Sequence, residues 1–375
     1  MQDEVTQAVL AREDVAKYLR ATSGQTEAQA RERIHAYLDE LRTTQRYPIY
    51  RALKHPLYPI LRKVDRRVEH IEIVGRAQAA GRVIFISNHK SHLDYLVEPL
   101  ALDDHGLRPP IIAAGINLFG GPLGLLHRHV TGAVPIRRDA KDPAYLVTLK
   151  AYIAELLKRH DLLFYLEGGR SYSGEIKSPK TGLLHAALQA GRDDIVIIPC
   201  AVSYDMVLED RVLARQGTKR RQRPFSRELA EMIGTAVGYE SRSFTSFGQP
   251  IPLAGWDPGS RRDVMTLAYT VREAIGRLYK VLPSAIVACV MRPSLPVADL
   301  PGHIAGLVTT LKEAGANLDI EDPELIAQRG VAVLAARDVI VEQRHLLRVR
   351  DRLVLRYYAR TLEHLRTPPR RLRTP

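Results

Sequence analysis

The chain has 375 residues, 45% hydrophobic and 26% charged, so it is long enough for a buried core and too apolar to be disordered. Lys and Arg number 55 against 42 Asp and Glu, and the net charge of +13 favours anionic partners: nucleic acid, phosphate metabolites or an anionic membrane surface. Two cysteines, Cys200 and Cys289, are too few for a disulfide framework, so we expect a reducing compartment.

The basic charge is concentrated towards the C-terminal end. From Arg344 onward there are ten Arg and two acids, which account for +8 of the +13. Such an Arg-rich segment is either a solvated helix face or a contact for acidic lipid head groups. The first residues are acidic and do not resemble a secretory signal. Residues 109–126 form the longest uncharged stretch, but their three Pro and four Gly predict a strand, a turn and an apolar loop rather than a spanning helix.

Residues 1–70 are predicted to form a helical N-terminal region. Residues 27–41 and 49–68 carry apolar residues at three- and four-residue steps among many charges. In the second stretch an apolar stripe runs beside basic residues and consists of Leu57, Ile60, Leu61 and Val64. A basic amphipathic helix of this kind either packs on the main domain or lies on a membrane.

Beyond residue 70, short apolar strands alternate with helices. Strands are predicted at residues 82–87, 110–114, 132–136, 162–166, 194–204 and 244–250, and helices at 91–102, 142–160, 181–190 and 263–281. This alternation predicts an α/β domain, residues 71–282, with a largely parallel mixed sheet flanked by helices. Residues 209–226 are Arg-rich and are predicted to be a surface loop. Residues 283–375 lack a strand rhythm and are predicted to form an all-helical, basic C-terminal region.

One candidate site follows the strand at 82–87, where His89 and Asp94 stand five residues apart. Ligands bind at the carboxyl ends of strands in open α/β sheets. With Asp94 in the first turn of a helix, its carboxylate can hold one imidazole nitrogen while the other takes a proton from a hydroxyl. The alternatives are an N-cap Asp beside an incidental His, or a metal site that also uses His92, which no second ligand cluster supports.

Three further segments, each in or directly after a predicted strand, contain candidate site residues. Arg137 and Arg138 close one strand and offer planar cations that suit a phosphate. The next strand is followed by a carboxylate, two glycines that let backbone N–H groups approach a ligand, a cation and a hydroxyl: Glu167, Gly168, Gly169, Arg170 and Ser171. Lys180 precedes a helix N-terminus, which is a natural anion site. Pro199 interrupts the long apolar strand and marks a bulge or a pocket wall.

In this order the groups resemble the motifs of the glycerolipid acyltransferases, and specifically the glycerol-3-phosphate acyltransferase branch. His89 and Asp94 form the His-x-x-x-x-Asp motif of that family, and His92 is the second His typical of this branch. The other matching segments are residues 113–118, 137–138, 167–171, Pro199, 283–288 and 355–358. Tyr172 is a departure, because many relatives have a second Arg at that position.

The resemblance implies a fatty acyl transfer from acyl-CoA or acyl carrier protein to the sn-1 hydroxyl of glycerol 3-phosphate, which yields lysophosphatidic acid. His89 would be the general base, Asp94 would orient it, and neither a metal nor a cofactor would take part. The substrate-binding residues would be Arg137, Arg138, Glu167, Gly168, Gly169, Arg170, Ser171, Lys180 and Pro199. The protein would be peripheral or monotopic at the cytoplasmic face of the cell membrane, in contact with surface lipids.

Two alternatives stand beside this interpretation. In the first alternative, the chemistry is the same but the acceptor is dihydroxyacetone phosphate or lysophosphatidic acid. The second His and the Glu-Gly-Gly-Arg-Ser segment favour a small phosphate acceptor over a lipid. A different class is a non-enzymatic protein that binds anionic lipid or nucleic acid. Aromatic residues make up only 6% of the chain and no nucleic-acid module is recognisable, so we expect no nucleic-acid partner.

Overall fold

A computed structural model of the chain describes residues 2–21, 24–46, 48–49, 51–52, 64–138, 140–216 and 241–366. Its N-terminal part contains the helices α1 (Gln2–Leu10), α2 (Glu13–Ala21) and α3 (Glu27–Leu41). Helix α3 begins at a capping box, in which Thr26 and Gln29 satisfy each other's backbone N–H groups. Buried residues of these helices join the same apolar cluster as residues of the central sheet, so this region packs on the main body.

The centre of the molecule is a mixed, mostly parallel sheet. Its strands are β1 (Val64–Glu69), β2 (Arg82–Ser87), β3 (Ile111–Gly115), β4 (Ala133–Ile136), β5 (Leu162–Tyr165), β6 (Ile195–Tyr204), β7 (Ser241–Phe247) and β8 (Ile251–Pro252). The order across the sheet is β1-β7-β6-β2-β5-β3-β4, with β8 paired to β6. Among the described strands of this sheet, the β6–β7 and β6–β8 pairs are antiparallel, and the other pairs are parallel. The predicted fold class is confirmed.

Helices cover both faces of this sheet. They are α4 (Ile71–Ala80), α5 (Asp94–Asp104), α6 (Gly121–His129), α7 (Pro143–Leu157), α8 (Gly182–Leu188), α9 (Asp210–Gln216) and α10 (Arg261–Leu278). Along β2, Ile84 and Ile86 belong to one buried cluster, whereas Val83 and Phe85 belong to the other. Because successive side chains of a strand point to opposite faces, β2 is buried on both sides, as its continuous apolar run predicts.

Two local predictions in this part are wrong. Residues 64–68 were expected to continue a helix, but they form the edge strand β1, which pairs in parallel with β7. The rest of the predicted stripe, Leu57, Ile60 and Leu61, lies outside the described residues. The stretch after β3 is not an apolar loop: it contains a 3₁₀ turn, Ile116–Leu118, and then α6.

The C-terminal region is mostly helical, but the prediction that it lacks strands is wrong. After β9 (Lys280–Val281), which ends the preceding region, its elements are α11 (Pro283–Val290), β10 (Ser294–Pro296), α12 (Leu300–Glu313), β11 (Asn317–Leu318), α13 (Pro323–Ala336), β12 (Ile340–Gln343), β13 (Leu346–Val349), α14 (Arg352–Arg360) and α15 (Glu363–Arg366). Strands β10, β13 and β12 form a small antiparallel sheet. Arg344 and His345 make the hairpin turn with φ of 53° and 60°. Turns with two positive φ values usually contain Asn-Gly, and this chain lacks that signal here. The domain boundaries at 70/71 and 282/283 stay predictions.

Candidate active site

The loop between β2 and α5, residues 88–93, is called the His89 loop below, and it brings His89 and Asp94 together. His89 Nδ1 lies 2.9 Å from Asp94 Oδ2. The same oxygen accepts the backbone N–H groups of Lys90 and Ser91 at 2.7 and 3.0 Å, and Oδ1 accepts the Tyr204 hydroxyl at 2.7 Å. Asp94 is fully buried, and Leu93 rather than Asp94 occupies the N-cap position of α5. The carboxylate therefore serves the imidazole and the loop, not the helix cap.

The pKa shifts of this pair keep the imidazole in the neutral form that can accept a proton. Burial, followed by the charges of Arg170 and Arg138, lowers the pKa of His89 well below its ordinary value. Burial raises the pKa of Asp94 to about 6, against hydrogen bonds that lower it. At neutral pH the imidazole is therefore neutral and the carboxylate is ionised. With the Nδ1 proton donated to Asp94, Nε2 is left as an acceptor for a proton.

Three neighbours hold His89 in place. Its ring stacks on that of Tyr165, with centroids 4.0 Å apart, and the Tyr165 hydroxyl donates to Glu98 Oε2 at 3.0 Å. Its backbone N–H donates to Glu167 Oε1 at 3.1 Å, and its carbonyl accepts the N–H of Ser171 at 2.9 Å. Ring plane and backbone are thus both set by the strand β5 and the residues that follow it.

The segment after β5, residues 166–181, is called the Glu167 loop, and it uses its predicted residues partly for its own folding. Glu167 is buried and also accepts the Lys177 N–H at 3.2 Å. Gly168 has a φ of +67°, a conformation that favours glycine. The Ser171 hydroxyl donates to the Glu175 carbonyl within the loop, at 2.6 Å. Glu167 and Ser171 therefore act at least as turn-forming residues.

A cavity of about 530 Å³ opens beside His89 at the carboxyl ends of the central strands. Its lining combines cations with apolar side chains. The predicted residues in the lining are His89, Arg137, Arg138, Glu167, Gly168, Gly169, Arg170 and Lys180. The apolar part includes Ala113, Ile136, Leu149, Phe164 and Leu183. Pro199 is not among these lining residues but lies within β6, where it is opposite Ile86 of β2.

The two adjacent arginines have different surroundings. Arg137 Nε donates to Glu40 Oε1 of α3 at 2.7 Å, and its guanidinium lies over the rings of Tyr37 and Tyr145. The Arg138 guanidinium instead lies against two glycines of the cavity wall. A Cβ on Gly115 would be 3.0 Å from its terminal nitrogen, and one on Gly169 would be 3.5 Å from its central carbon. Both side chains line the cavity, but Arg137 is held by Glu40 of α3, whereas the Arg138 guanidinium packs against the glycines of the cavity wall.

Two charged residues of this site were not predicted, because they lie outside any recognisable sequence motif. Lys177 lines the cavity and donates from Nζ to the Arg170 carbonyl at 2.9 Å. Glu209 is buried, accepts the His92 N–H at 2.7 Å and the Ser91 hydroxyl at 2.8 Å, and lies 3.5 Å from Arg170 Nη1. Glu209 thus joins the His89 loop to Arg170.

The prediction of a surface loop at residues 209–226 is wrong for its first part, which begins at Glu209. Glu209 is buried, and the next residues form α9, while residues 217–226 lie outside the described part.

Among the described residues no group of three or more His, Cys, Asp or Glu is arranged to hold a metal ion. Within the same residues no helix is long and apolar enough to cross a membrane.

Comparison with known proteins shows what this chain is similar to. Residues 66–203 match the family model described as Acyltransferase. A glycerol-3-phosphate acyltransferase of Pseudomonas syringae pv. syringae is 34% identical over 249 residues, which covers 64% of this chain and 30% of that protein. The one from Aeromonas hydrophila is 33% identical over 235 residues, covering 60% of this chain and 29% of that protein. The match thus spans less than a third of the length of these relatives.

Among solved structures, the 1-acyl-sn-glycerophosphate (LPA) acyltransferase of Thermotoga maritima aligns with a TM-score of 0.33 and 15% identity, covering 73% of this chain and 86% of that chain. The segment that matches the family model includes His89, Asp94 and the other motif residues as far as Pro199. Residues 66–203 are thus an acyltransferase domain, and the chain is similar to glycerol-3-phosphate acyltransferases over 64% of its length.

Proposed function

We propose that this protein is a glycerol-3-phosphate 1-O-acyltransferase. It transfers a fatty acyl group from a thioester donor, acyl-CoA or acyl carrier protein, to the sn-1 hydroxyl of glycerol 3-phosphate. The products are lysophosphatidic acid and the free thiol. The observation that carries the proposal is the buried His89–Asp94 pair beside a cavity with cationic and apolar walls. The names of the relatives support the choice of acceptor.

In the proposed mechanism His89 Nε2 takes the proton of the sn-1 hydroxyl as that oxygen attacks the thioester carbonyl. Asp94 stabilises the imidazolium that forms. The new C–O bond forms, the C–S bond breaks, and His89 returns the proton to the departing thiolate. The thioester is already activated, so the reaction requires no cofactor. Burial raises the pKa of Cys200 well above its ordinary value and that of Cys289 to about 11, so neither suits a nucleophile.

The cationic wall suits the phosphate of the acceptor. We assign Arg138 and Arg170 as its main ligands, because an Arg guanidinium pairs with a phosphate through two parallel hydrogen bonds. Lys177 and Lys180 line the same cavity and add positive charge. Arg137 contributes to the positive field while Glu40 holds its side chain. The apolar residues of the lining would contact the acyl chain.

The direct test is turnover with labelled glycerol 3-phosphate and a panel of acyl-CoA and acyl carrier protein donors, on protein purified in detergent. His89→Ala should lower kcat at least about 10²-fold. His303→Ala, on the exposed face of α12, is the matched control and should leave kcat unchanged. Undiminished turnover of His89→Ala would contradict the base assignment.

The acceptor is tested by competition among glycerol 3-phosphate, dihydroxyacetone phosphate and lysophosphatidic acid with one donor. We expect glycerol 3-phosphate to have the highest kcat/KM. A preference for either rival would keep the chemistry and change the acceptor. Salt-sensitive binding of DNA, with no acyl transfer from any donor, would instead favour a non-enzymatic anion binder.

We further propose that the protein works at the cytoplasmic face of the cell membrane as a peripheral or monotopic protein. Ile116, Leu125 and Leu146 are 41, 63 and 39% exposed, and Leu146 lines the cavity. In flotation with vesicles that contain phosphatidylglycerol, Leu125→Glu should weaken binding. Leu353→Glu, at an exposed leucine of α14, is the control. Deleting residues 367–375 tests the basic tail separately, and unchanged partition would show that it is not the anchor.

A further inference from the structure

Lys90 of the His89 loop has its charged side chain in the interior. Only 1% of its surface is exposed. Its ammonium group donates to the carbonyl of Gly174 and lies 5.1 Å from the centroid of the Tyr279 ring. A lysine is almost never fully buried unless its charge is compensated, because the ammonium loses its hydration. The groups that Lys90 contacts must therefore account for its buried position.

Gly174 is the point at which the Glu167 loop meets the C-terminal helix α14. A Cβ at Gly174 would lie 2.0 Å from the carbonyl oxygen of Tyr357, and its φ is +89°. The next residue of the loop, Glu175, forms an ion pair with Arg360 at the end of α14. Lys90 thus binds the Glu167 loop at the residue where that loop contacts the C-terminal helix, and it lines a small cavity with Tyr357 and Tyr358 of α14.

The backbone of Lys90 is tied to the catalytic pair. Its N–H donates to Asp94 Oδ2 at 2.7 Å, the oxygen that lies 2.9 Å from His89 Nδ1. The Glu167 loop returns to His89 twice, through Glu167 and through the Ser171 N–H. Lys90 therefore closes a circuit of contacts that runs from Asp94 through the Glu167 loop and back to His89.

We propose that Lys90 is a positioning residue for acyl transfer. Its ammonium group holds the Glu167 loop, which contacts α14 at Gly174, against the His89–Asp94 pair. By this inference residues 352–361 are a structural part of the active site rather than a separate extension. The inference rests on the proposed function, because the positioning matters for the reaction that His89 performs.

The surroundings of Lys90 give the expected sign of a pH effect. Burial lowers the pKa of Lys90 to about 8, so it is charged at pH 7. The titratable and charged groups around it are Asp94, Glu167, Glu175, Lys177, Tyr204, Tyr279, Lys280, Tyr357, Tyr358 and His364. The charge of Lys90 lowers the pKa of both Asp94 and Glu167. Removing this charge should raise the pKa of Asp94, so the acid limb of kcat/KM should move to higher pH.

The test compares Lys90→Met and Lys90→Arg with the wild type, and Lys158→Met is the surface control. One readout is hydrogen exchange of the amides in residues 168–180, and the other is the pH profile of kcat/KM. For Lys90→Met we expect about tenfold faster exchange in this segment, about tenfold lower kcat, and an acid limb raised by about half a unit. Lys90→Arg keeps a charged donor and should preserve the wild-type limb, and Lys158→Met should change nothing.

A folded Lys90→Met protein with unchanged exchange and an unmoved acid limb would overturn the proposal. If Lys90→Met does not fold, Lys90→Gln removes the charge with a polar residue and is judged by the same two readouts. A wild type without acyl transfer would refute the proposed function instead. The exchange experiment would still decide whether Lys90 holds the Glu167 loop.

Discussion

The phenol ring of Tyr165 lies parallel to the imidazole of His89, with ring centroids 4.0 Å apart and 11° between the planes. The stack follows from the sheet, since Tyr165 ends β5 opposite Ser87 of β2, and His89 follows Ser87 by two residues. The Tyr165 hydroxyl is in turn held by Glu98 of α5. The orientation of the base thus depends on three separate elements of the domain.

Tyr165 variants should separate the effect of the stack from that of the hydroxyl. Tyr165→Leu removes the flat surface behind His89, and we expect kcat to fall about tenfold because the ring is less well oriented. Tyr165→Phe keeps the stack but removes the donor to buried Glu98, so it should cost about 1–3 kcal/mol of stability and little activity. Turnover and denaturant unfolding measure the two quantities. Equal kcat values for the two variants would contradict the role of the stack.

The pH profile should be governed by Asp94. Because its pKa is raised to about 6 and that of His89 is lowered, kcat/KM should fall as the pH drops through about 6.

The raised pKa of Asp94 also affects the pH dependence of folding stability. Asp94 binds a proton more readily in the folded state, so its contribution to stability falls as the pH rises from 3.8 to about 6. Asp94→Asn should remove this pH dependence and lower kcat by about 10²-fold or more. An acid limb that stays near pH 6 in Asp94→Asn would contradict the assignment, because the limb should then move to the lower pKa of His89.

Arg137 and Arg138 form a matched pair of neighbours. Arg138→Ala should raise the KM for glycerol 3-phosphate about tenfold or more, because it removes a charge-assisted contact to the phosphate. Arg137→Ala should change KM by no more than about twofold and stability by less than about 1 kcal/mol, since its ion pair with Glu40 is exposed. Steady-state kinetics with the acceptor varied decide between them, and the reverse order of effects would show that Arg137 is the phosphate ligand.

Tyr357 and Tyr358 provide a second matched pair, in the C-terminal helix. The Tyr358 hydroxyl donates to Asp210 Oδ2 at 2.8 Å and accepts the Val207 N–H at 3.1 Å, so Tyr358→Phe should cost about 1–3 kcal/mol. The Tyr357 hydroxyl is buried and has no hydrogen-bond partner among the described residues. Tyr357→Phe should therefore change stability by no more than about 0.5 kcal/mol. Denaturant unfolding compares them, and a larger loss in Tyr357→Phe would contradict the packing described for α14.

Several features could be predicted because their cause is local. The apolar run of β2 and the Asp142-Pro143 start of α7 specify these elements with little help from distant residues. The five-residue spacing of His89 and Asp94 similarly places the carboxylate within reach of the imidazole once a helix begins there. The β12–β13 hairpin escaped prediction because its turn residues lack the usual Gly or Asn and its strands are only four residues long.

The sequence by itself determined the alternation of strands and helices, the sheet edge that carries the polar residues, and the candidate base with its carboxylate. Tertiary structure alone decided which charges meet at that edge. Glu209 reaches Ser91 across 118 residues of chain, and Lys90 reaches Gly174 across 84. It also decided that Glu40 holds Arg137, whereas Arg138 packs against Gly115 and Gly169 of the cavity wall. The physical reason is that burial and charge pairing depend on neighbours in space, and no local pattern of residues encodes those neighbours.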